Sequence, residues 1–491
     1  MLKSHFNCFR KKVLMTDWTG CPLYQHALSR PDETAILADG YAISWLQLYQ
    51  NVCGIALQVE QQVLPETPIA VVSENSLKML LLSLASLHCG RIFFPINPAF
   101  PDQKIIDLCQ KMGVKQLWSA ETSRLDSFSG DKVNIDFEVR AEIESENEVA
   151  PQVSIDAPAS LILTSGSSGS PKAVLHSIGH HLASAMGSRK VLPLKQQDHW
   201  LASLPLFHIG GYALVARCIV ASATIVLDSF KTPLPELLAR YPINYLSLVN
   251  TQLFRLLQQQ PKLPERQMRV LLGGGPVSDD LLDQLKNYPQ IEAFTSYGLT
   301  EMASQVCSGR AKAGLSGQLL PGRQMRLADD GEILLKGDTL FAGYWSKGQL
   351  DPACDEQGWF HTNDLGQLEN GWLKVLGRKD QMLISGGENI QPQKIEQCLL
   401  SLSGVVQAVV VGVSHQQWGQ RPVAFIQWAD QEKQLSQADL IIQLKPQLAN
   451  FMLPDVFLPW PEQMTGMKPD RKALAVIAES LQASNCKQQQ S

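Results

Sequence analysis

Residues Ala159-Ser-Leu-Ile-Leu-Thr164-Ser-Gly-Ser-Ser-Gly-Ser-Pro-Lys172 decide the fold. Residues 159–164 form a short, mostly apolar run, the pattern of a strand buried on both faces. The run passes without a break into a loop of glycine and serine, and then toward residues patterned as a helix. Hydroxyls at Thr164, Ser165, Ser167 and Ser168 can donate to phosphate oxygens. Gly166 and Gly169 permit backbone turns that aim N–H groups at an anion, and Lys172 adds a mobile positive charge. The spacing is not that of a Walker A loop, which needs four residues between its glycines and ends in Gly-Lys-Ser/Thr. Here two residues separate Gly166 from Gly169, and Pro171 precedes Lys172. A flexible Gly/Ser linker is the bland alternative; an apolar strand feeding directly into the loop weighs against it.

Outward from this loop, residues 68–73 read as a buried strand and 77–88 as the helix after it, with further strands over 243–249 and 268–272. Apolar strands spaced by helices predict parallel α/β layers. From Gly322 the texture changes. Residues 331–336 and 372–376 read as short strands separated by Gly and Asp turns, a small β-rich subdomain. After Gly377 a helix is predicted over 391–402, strands over 408–413 and 423–428, and a helix over 439–450, the pattern of a small α+β lid. The expected plan is an N-terminal domain over 1–377, a hinge at 378–380 and a lid over 381–491.

The chain's 491 residues suit roughly two to four domains with ample core. A formal net charge of -5 argues against a general nucleic-acid binder, which needs a basic excess to neutralise phosphates. The 10 cysteines form no CxxC pair, so reduced thiols are expected rather than a metal site. Residues 1–14 are mildly basic and lack the apolar segment of a signal peptide, and Met15 reads as an alternative start. The longest apolar stretch, 79–87, is too short to span a bilayer. A soluble, cytoplasmic protein is expected; whether it forms a homo-oligomer stays open.

Further motifs follow in order: Ser296-Tyr-Gly-Leu-Thr-Glu301, Trp359-Phe-His-Thr-Asn-Asp364, Gly377-Arg-Lys-Asp380, Ser385-Gly-Gly-Glu-Asn-Ile390 and Thr465-Gly-Met-Lys-Pro-Asp-Arg471. A carboxylate such as Glu301 can hold Mg²⁺ and a tyrosine ring can pack on a base. A carboxylate such as Asp364 can accept from two ribose hydroxyls. Singly, each has a dull reading: Tyr297 as core, Asp364 as a turn residue, Lys468 as a solvated charge. Their joint order and spacing carry the weight.

In these motifs the sequence resembles the acyl-adenylate-forming superfamily of acyl-CoA synthetases, peptide-synthetase adenylation domains and luciferases, from about Asp32 to Leu474. The resemblance implies a large N-terminal domain of α/β layers with a β-barrel-like part, and a small mobile α+β lid. It also implies that Thr164, Ser165, Ser167 and Lys172 contact the ATP phosphates, within a loop completed by Gly166, Ser168 and Gly169. Gly273, Gly274 and Gly275 would line the adenine and acyl pocket. Tyr297, beside Gly298, would pack against adenine. Thr300 would touch the α-phosphate and Glu301 would hold Mg²⁺. Asp364 and Arg378 would bind the ribose, Asp380 would be the hinge, and Lys468 the adenylation lysine. Two departures stand out: the usual Thr-Gly-Asp is Thr362-Asn363-Asp364, and the usual late Gly-Lys is Met467-Lys468.

Within the superfamily, LTSGSSGSPKAVLHS, HLASAMG, WLASLPLFHIGG, LLGGGPV and SYGLTEMASQVC look like the o-succinylbenzoate–CoA ligases of bacterial menaquinone synthesis. That resemblance implies ATP, Mg²⁺ and coenzyme A as reactants, with 2-succinylbenzoate as the acid. Phe207 and His208 read as walls of an aromatic pocket, with room for a ring at Gly210 and Gly211. His208 is counted with the catalytic candidates, and a hydrogen-bonded structural histidine is the alternative. A second carboxylate on the substrate ring calls for a cation or hydroxyls: Ser304, Gln305, Arg217 and Arg323 are candidates. The competing readings are a ligase for a fatty or different aromatic acid, a module that loads a carrier protein, and a P-loop kinase or ATPase.

Overall fold

Pro158–Thr164 is a strand, buried from residue 159 to 162, as its sequence predicts. Its neighbour across the loop is not a helix. Lys172–Ser177 is a second strand, antiparallel to the first, with Thr164 opposite Lys172. The expected helix starts only at Ile178, where Ser177 and His180 close a reciprocal cap. Ala173, Val174 and Leu175 are at most 1% exposed. An apolar run this short is ambiguous from periodicity alone, and pairing with its neighbour settles it as strand. A hairpin loop also has no helix N-terminus behind it, which removes the geometry of a P-loop NTPase.

The computed structural model describes residues 21–65, 67–121, 124–141, 154–164, 171–259, 262–275, 277–429, 434–461 and 470–488. The calls on Ser165, Gly166, Ser167, Ser168, Gly169, Lys468, residues 1–14 and Met15 lie outside them.

An eight-stranded sheet runs in the order Gln349–Asp351, Gly343–Ser346, Lys172–Ser177, Pro158–Thr164, Ile92–Ile96, Pro68–Val72, Gln116–Ser119 and Asp131–Lys132. It is parallel from Pro158–Thr164 onward and antiparallel before it. A nine-stranded sheet has six parallel strands at its centre: Ile291–Leu299, Met268–Gly273, Tyr245–Val249, His199–Leu201, Thr224–Leu227 and Thr34–Ala38. The largest core lies between the two sheets. It joins Ile36 and Trp200 of one sheet to Ile69, Val71 and Phe93 of the other through helices Trp45–Gln62, Leu77–His88 and Ile209–Ala221. Leu77–His88 has the predicted bounds; Ser76 caps it by accepting from the Met79 amide at 3.2 Å.

Arg323–Leu327, Glu332–Gly337, Phe360–Glu369 and Trp372–Arg378 make a four-stranded antiparallel sheet where the β-rich subdomain is expected. The C-terminal region has its own sheet. Val405–His415 and Gly419–Trp428 form its centre, and residues alternate between two cores. Val410, Ala424 and Ile426 face helices Pro392–Leu400 and Gln437–Leu444. Val409, Val411, Val423 and Phe425 face Leu474 and Ala478 of helix Arg471–Gln488. The expected class, a large α/β domain followed by a small α+β one, is the one observed. No helix among the described residues is long and apolar enough to cross a membrane.

Candidate active site

Two hairpins meet where the sheets face each other. The first is Pro158–Thr164 with Lys172–Ser177. The second is Ile291–Leu299 with Ser304–Arg310, joined by the short turn Thr300–Met302. His176 of the first hairpin places its Nε2 at 2.8 Å from the Thr300 carbonyl of the second. A third element, Gly343–Ser346, pairs with Lys172–Ser177 and sets Tyr344 opposite Val174.

This register assembles the charged groups. Lys172 Nζ lies 4.4 Å above the centre of the Tyr344 ring. Tyr344 Oη donates to Glu301 Oε1 at 2.8 Å, and the Phe341 amide donates to the Glu301 carbonyl at 2.8 Å. Burial and the adjacent Glu301 carboxylate raise the Tyr344 phenol far above its usual range, so it stays a donor. Thr164 sits beside Lys172 in the ladder. Thr164, Lys172, Thr300 and Glu301, named from separate motifs, thus converge. Tyr344 belongs to no motif, and only the strand register reveals it.

A second cluster adjoins the first. Asp364 and Arg378 face each other across Phe360–Glu369 and Trp372–Arg378, with Arg378 Nη1 donating to Asp364 Oδ1 at 3.2 Å. Tyr297 Oη donates to Asp364 Oδ2 at 2.7 Å. Burial lifts the Asp364 carboxyl above its usual range, while Arg378 and the Tyr297 hydroxyl pull the other way. Arg378 also grips Asp380 with Nε and Nη2, at 2.9 and 3.1 Å. The departure at Asn363 has a backbone explanation: its φ is +59°, left-handed, a conformation that glycine and asparagine tolerate best. Its amide donates to Glu332 Oε1 at 2.9 Å, which holds the turn that presents Asp364.

Tyr297 is 9% exposed and lies among Met302, Val306, Ile333 and Leu373, and its hydroxyl reaches Asp364. Gly298 has a steric reason to be glycine: a Cβ there would lie 2.1 Å from the Ser304 carbonyl oxygen. Gly211 leaves no room for a ring, because the Pro205 carbonyl oxygen occupies that space at 2.2 Å; Gly210 meets only Leu204 Cδ1 at 3.6 Å. Gly273, Gly274 and Gly275, at the carboxyl end of Met268–Gly273, have no atom within 3.6 Å of a Cβ. They line open space where ligands of α/β sheets usually bind. His208 is exposed at the N-terminus of Ile209–Ala221, its ring edge-on to Phe207 at 4.8 Å.

The four candidates for a second carboxylate separate clearly. Arg323 is spent on the protein: it donates to the carbonyls of Gln305, Pro321, Ala183 and Ser184 and to the Ser184 hydroxyl. The Ser304 hydroxyl accepts from Arg217 Nη2 at 3.2 Å. Arg217 is 3% exposed, and its Nε and Nη1 have no partner among the described residues; neither has Gln305 Nε2. Burial lowers Arg217 to about 10, which leaves it cationic at neutral pH.

Known proteins resemble this chain along most of its length. The profile described as AMP-binding enzyme matches residues 23–345, and that of the AMP-binding enzyme C-terminal domain matches 394–464. The 2-succinylbenzoate–CoA ligase of Haemophilus influenzae is 36% identical over 446 residues, covering 89% of this chain and 93% of its own. A variant of E. coli MenE with bound OSB-AMS superposes with a TM-score of 0.83 at 30% identity, covering 94% of this chain and 99% of that one. The o-succinylbenzoate CoA synthetase (MenE) from Bacillus subtilis is similar in two states. In complex with the acyl-adenylate intermediate OSB-AMP its TM-score is 0.80 at 27% identity, over 92% and 96% of the two chains. With ATP and magnesium ion it is 0.79 at 28%, over 89% and 95%. By the extent of these matches the chain belongs to the AMP-binding enzyme family, and within it to the family of 2-succinylbenzoate–CoA ligases.

Proposed function

We propose that this enzyme activates 2-succinylbenzoate with ATP as an acyl-adenylate and transfers the acyl group to the thiol of CoA. The product would be 2-succinylbenzoyl-CoA for menaquinone biosynthesis. The observation that carries the choice of acid is Arg217. A buried guanidinium over the Trp200 ring, with two nitrogens unpaired and no carboxylate partner among the described residues, is costly. An acid with a second carboxylate supplies the missing counter-ion and bidentate acceptor; a fatty acid leaves the cost in place. Gln305 Nε2 offers one more donor beside it. The names of the relatives and the ligands of the neighbours support the same reading.

In the first half-reaction the substrate carboxylate attacks the α-phosphorus and pyrophosphate leaves. The carboxylate is already ionised, so no general base is required. The protein positions the reactants and stabilises charge on the attacking, equatorial and leaving oxygens. Lys172 and Lys468 supply positive charge, and Thr300 donates to the α-phosphate. Glu301 suits Mg²⁺: Tyr344 occupies one of its oxygens, and Mg²⁺ characteristically takes one or two carboxylates plus phosphates and waters. When bound, Mg²⁺ would neutralise phosphate charge. Asp364, fixed by Tyr297 and Arg378, keeps acceptor capacity for ribose hydroxyls.

In the second half-reaction the lid over 381–491 turns about Asp380. Lys468 leaves and the hairpin Leu383–Ser385 and Glu388–Ile390 enters to guide the CoA thiol. Its two-residue tip, Gly386 and Gly387 with φ of +59° and +87°, has the backbone of a tight hairpin turn. The cysteines among the described residues are free thiols, in keeping with a reducing, cytoplasmic setting. Mass spectrometry of the product from 2-succinylbenzoate, ATP and CoA tests the reading. The thioester with AMP and pyrophosphate is expected. Release of ADP, or a strong preference for a medium-chain fatty acid, sinks it.

A further inference from the structure

The turn that carries Thr300 and Glu301 is strained. Ala303 and Ser304, which follow it, have φ of +50° and +103°, two consecutive left-handed positions without a glycine. L side chains persist there only when the surroundings impose the conformation, and such residues gather at functional sites. What imposes it is a set of buried side chains that donate mainly to backbone carbonyls. His176 Nε2 lies 2.8 Å from the Thr300 carbonyl and Ser184 Oγ lies 2.6 Å from the Ala303 carbonyl. Just beyond, Arg323 Nε donates to the Gln305 carbonyl at 3.0 Å and Ser188 Oγ to Gln305 Oε1 at 2.7 Å.

His176 and Ser184 are 0% and 2% exposed. They lie on the strand and helix that directly continue from Lys172, so one stretch, Lys172–Ser177 followed by Ile178–Ser188, carries both the phosphate-loop lysine and the braces of the opposite hairpin. His176 is packed against the rings of His180 and His181, 5.8 and 5.1 Å between centres. Burial and those two neighbours keep it far below the usual imidazole range, hence neutral, and a carbonyl acceptor fixes its proton on Nε2.

We propose that His176 and Ser184 are positioning residues for adenylation: by holding the Thr300 and Ala303 carbonyls they maintain the strained turn that sets Thr300 and Glu301 toward the phosphates and Mg²⁺. The inference rests on the proposed roles of Thr300 and Glu301. Neither brace touches a reacting atom. Loosening the turn should therefore lower the rate of adenylation and weaken its Mg²⁺ response, and, because Ser304 of the turn holds Arg217, raise KM for the acid, while the CoA step changes least.

The test uses the full-length enzyme with S184A, H176A, H176Q, A303G, S184A/A303G and E301Q. Acid-dependent ATP–pyrophosphate exchange is titrated with Mg²⁺, and conversion of preformed acyl-AMP by CoA is followed separately. S184A and H176A are expected to lose about tenfold or more in exchange kcat and to need more Mg²⁺, with the CoA step close to wild type. Glycine accepts the left-handed backbone without strain, so A303G should restore part of what S184A loses. H176Q, which keeps an N–H donor, should retain more activity than H176A. Wild-type exchange and Mg²⁺ response in S184A and H176A would overturn the proposal. So would a parallel fall of both half-reactions and melting temperature, with no recovery in S184A/A303G. An unchanged Mg²⁺ response in E301Q would overturn the reading of the site itself, whereas an impaired E301Q beside a normal S184A would overturn the brace alone.

Discussion

The turn at residues 300–305 and the segment at 378–381 both border the nucleotide-binding cluster, and they are held in opposite ways. The first is secured by buried side chains on backbone carbonyls: His176, Ser184 and Arg323. The second is secured by ion pairs that solvent reaches from one side: Arg378 on Asp380, and Lys379 Nζ on exposed Asp330 at 2.6 Å and on buried Glu332 at 3.1 Å. A buried polar group left unpaired costs its full desolvation, so the first segment has one arrangement. Water readily replaces a surface ion pair, whose net worth is small. The second segment can exchange partners. A rigid turn suits a residue that must meet a phosphate, and an exchangeable clasp suits a hinge.

The largest expected effect breaks the buried side. Arg217→Met removes the cation that holds Ser304 and should cut kcat/KM for 2-succinylbenzoate by about 10²–10³, the scale of a broken buried ion pair. Because the ligand-free cation has no carboxylate partner among the described residues, the melting temperature without substrate should hold or rise. A joint loss of activity and stability would make Arg217 structural and leave the acid unassigned. Next is Asp380→Pro, which should slow the CoA step about tenfold more than adenylation; equal losses in separate half-reaction assays would remove the hinge from the comparison. Tyr344→Phe removes one hydrogen bond to Glu301 and should cost about 1 kcal/mol, roughly fivefold, in adenylation. Pyrophosphate exchange at limiting Mg²⁺ reads it. The smallest effect belongs to the surface clasp. Lys379→Met should change either half-reaction by less than about fivefold, a difference that 0.5–1 M salt should shrink. A large, salt-independent loss would mean that the clasp is as fixed as the turn.

Much of the fold was legible. Residues 77–88 carry their helix without ambiguity, and strand and helix bounds elsewhere shift by a few residues. The start of the helix expected after the loop was not legible, because a short apolar run such as residues 172–177 fits either a strand or the first turn of the helix that follows. Their pairing with Pro158–Thr164 removes the ambiguity. Of the candidate site, Thr164, Lys172, Glu301, Asp364 and Arg378 were named from motif order. Tyr344, His176 and Ser184 were not, since an isolated tyrosine, a histidine inside an apolar strand and a serine in a helix have no signature. Arg217 was named but could not be ranked above Arg323, because their side-chain chemistry is the same and only their hydrogen-bond partners differ.

The amino-acid order by itself determined the period of each element, the positions where the chain must turn, and which chemical groups are available and in what sequence. Those properties act over a few residues. Which donor meets which acceptor was decided by the tertiary structure. His176 reaches the Thr300 carbonyl, Tyr344 reaches Glu301 and Tyr297 reaches Asp364 across 124, 43 and 67 residues. A strand register shifted by one residue would turn each side chain to the opposite face. The same packing left two nitrogens of Arg217 without an acceptor among the described residues while it satisfied Arg323, and that contrast, invisible in the sequence, supports the choice of substrate.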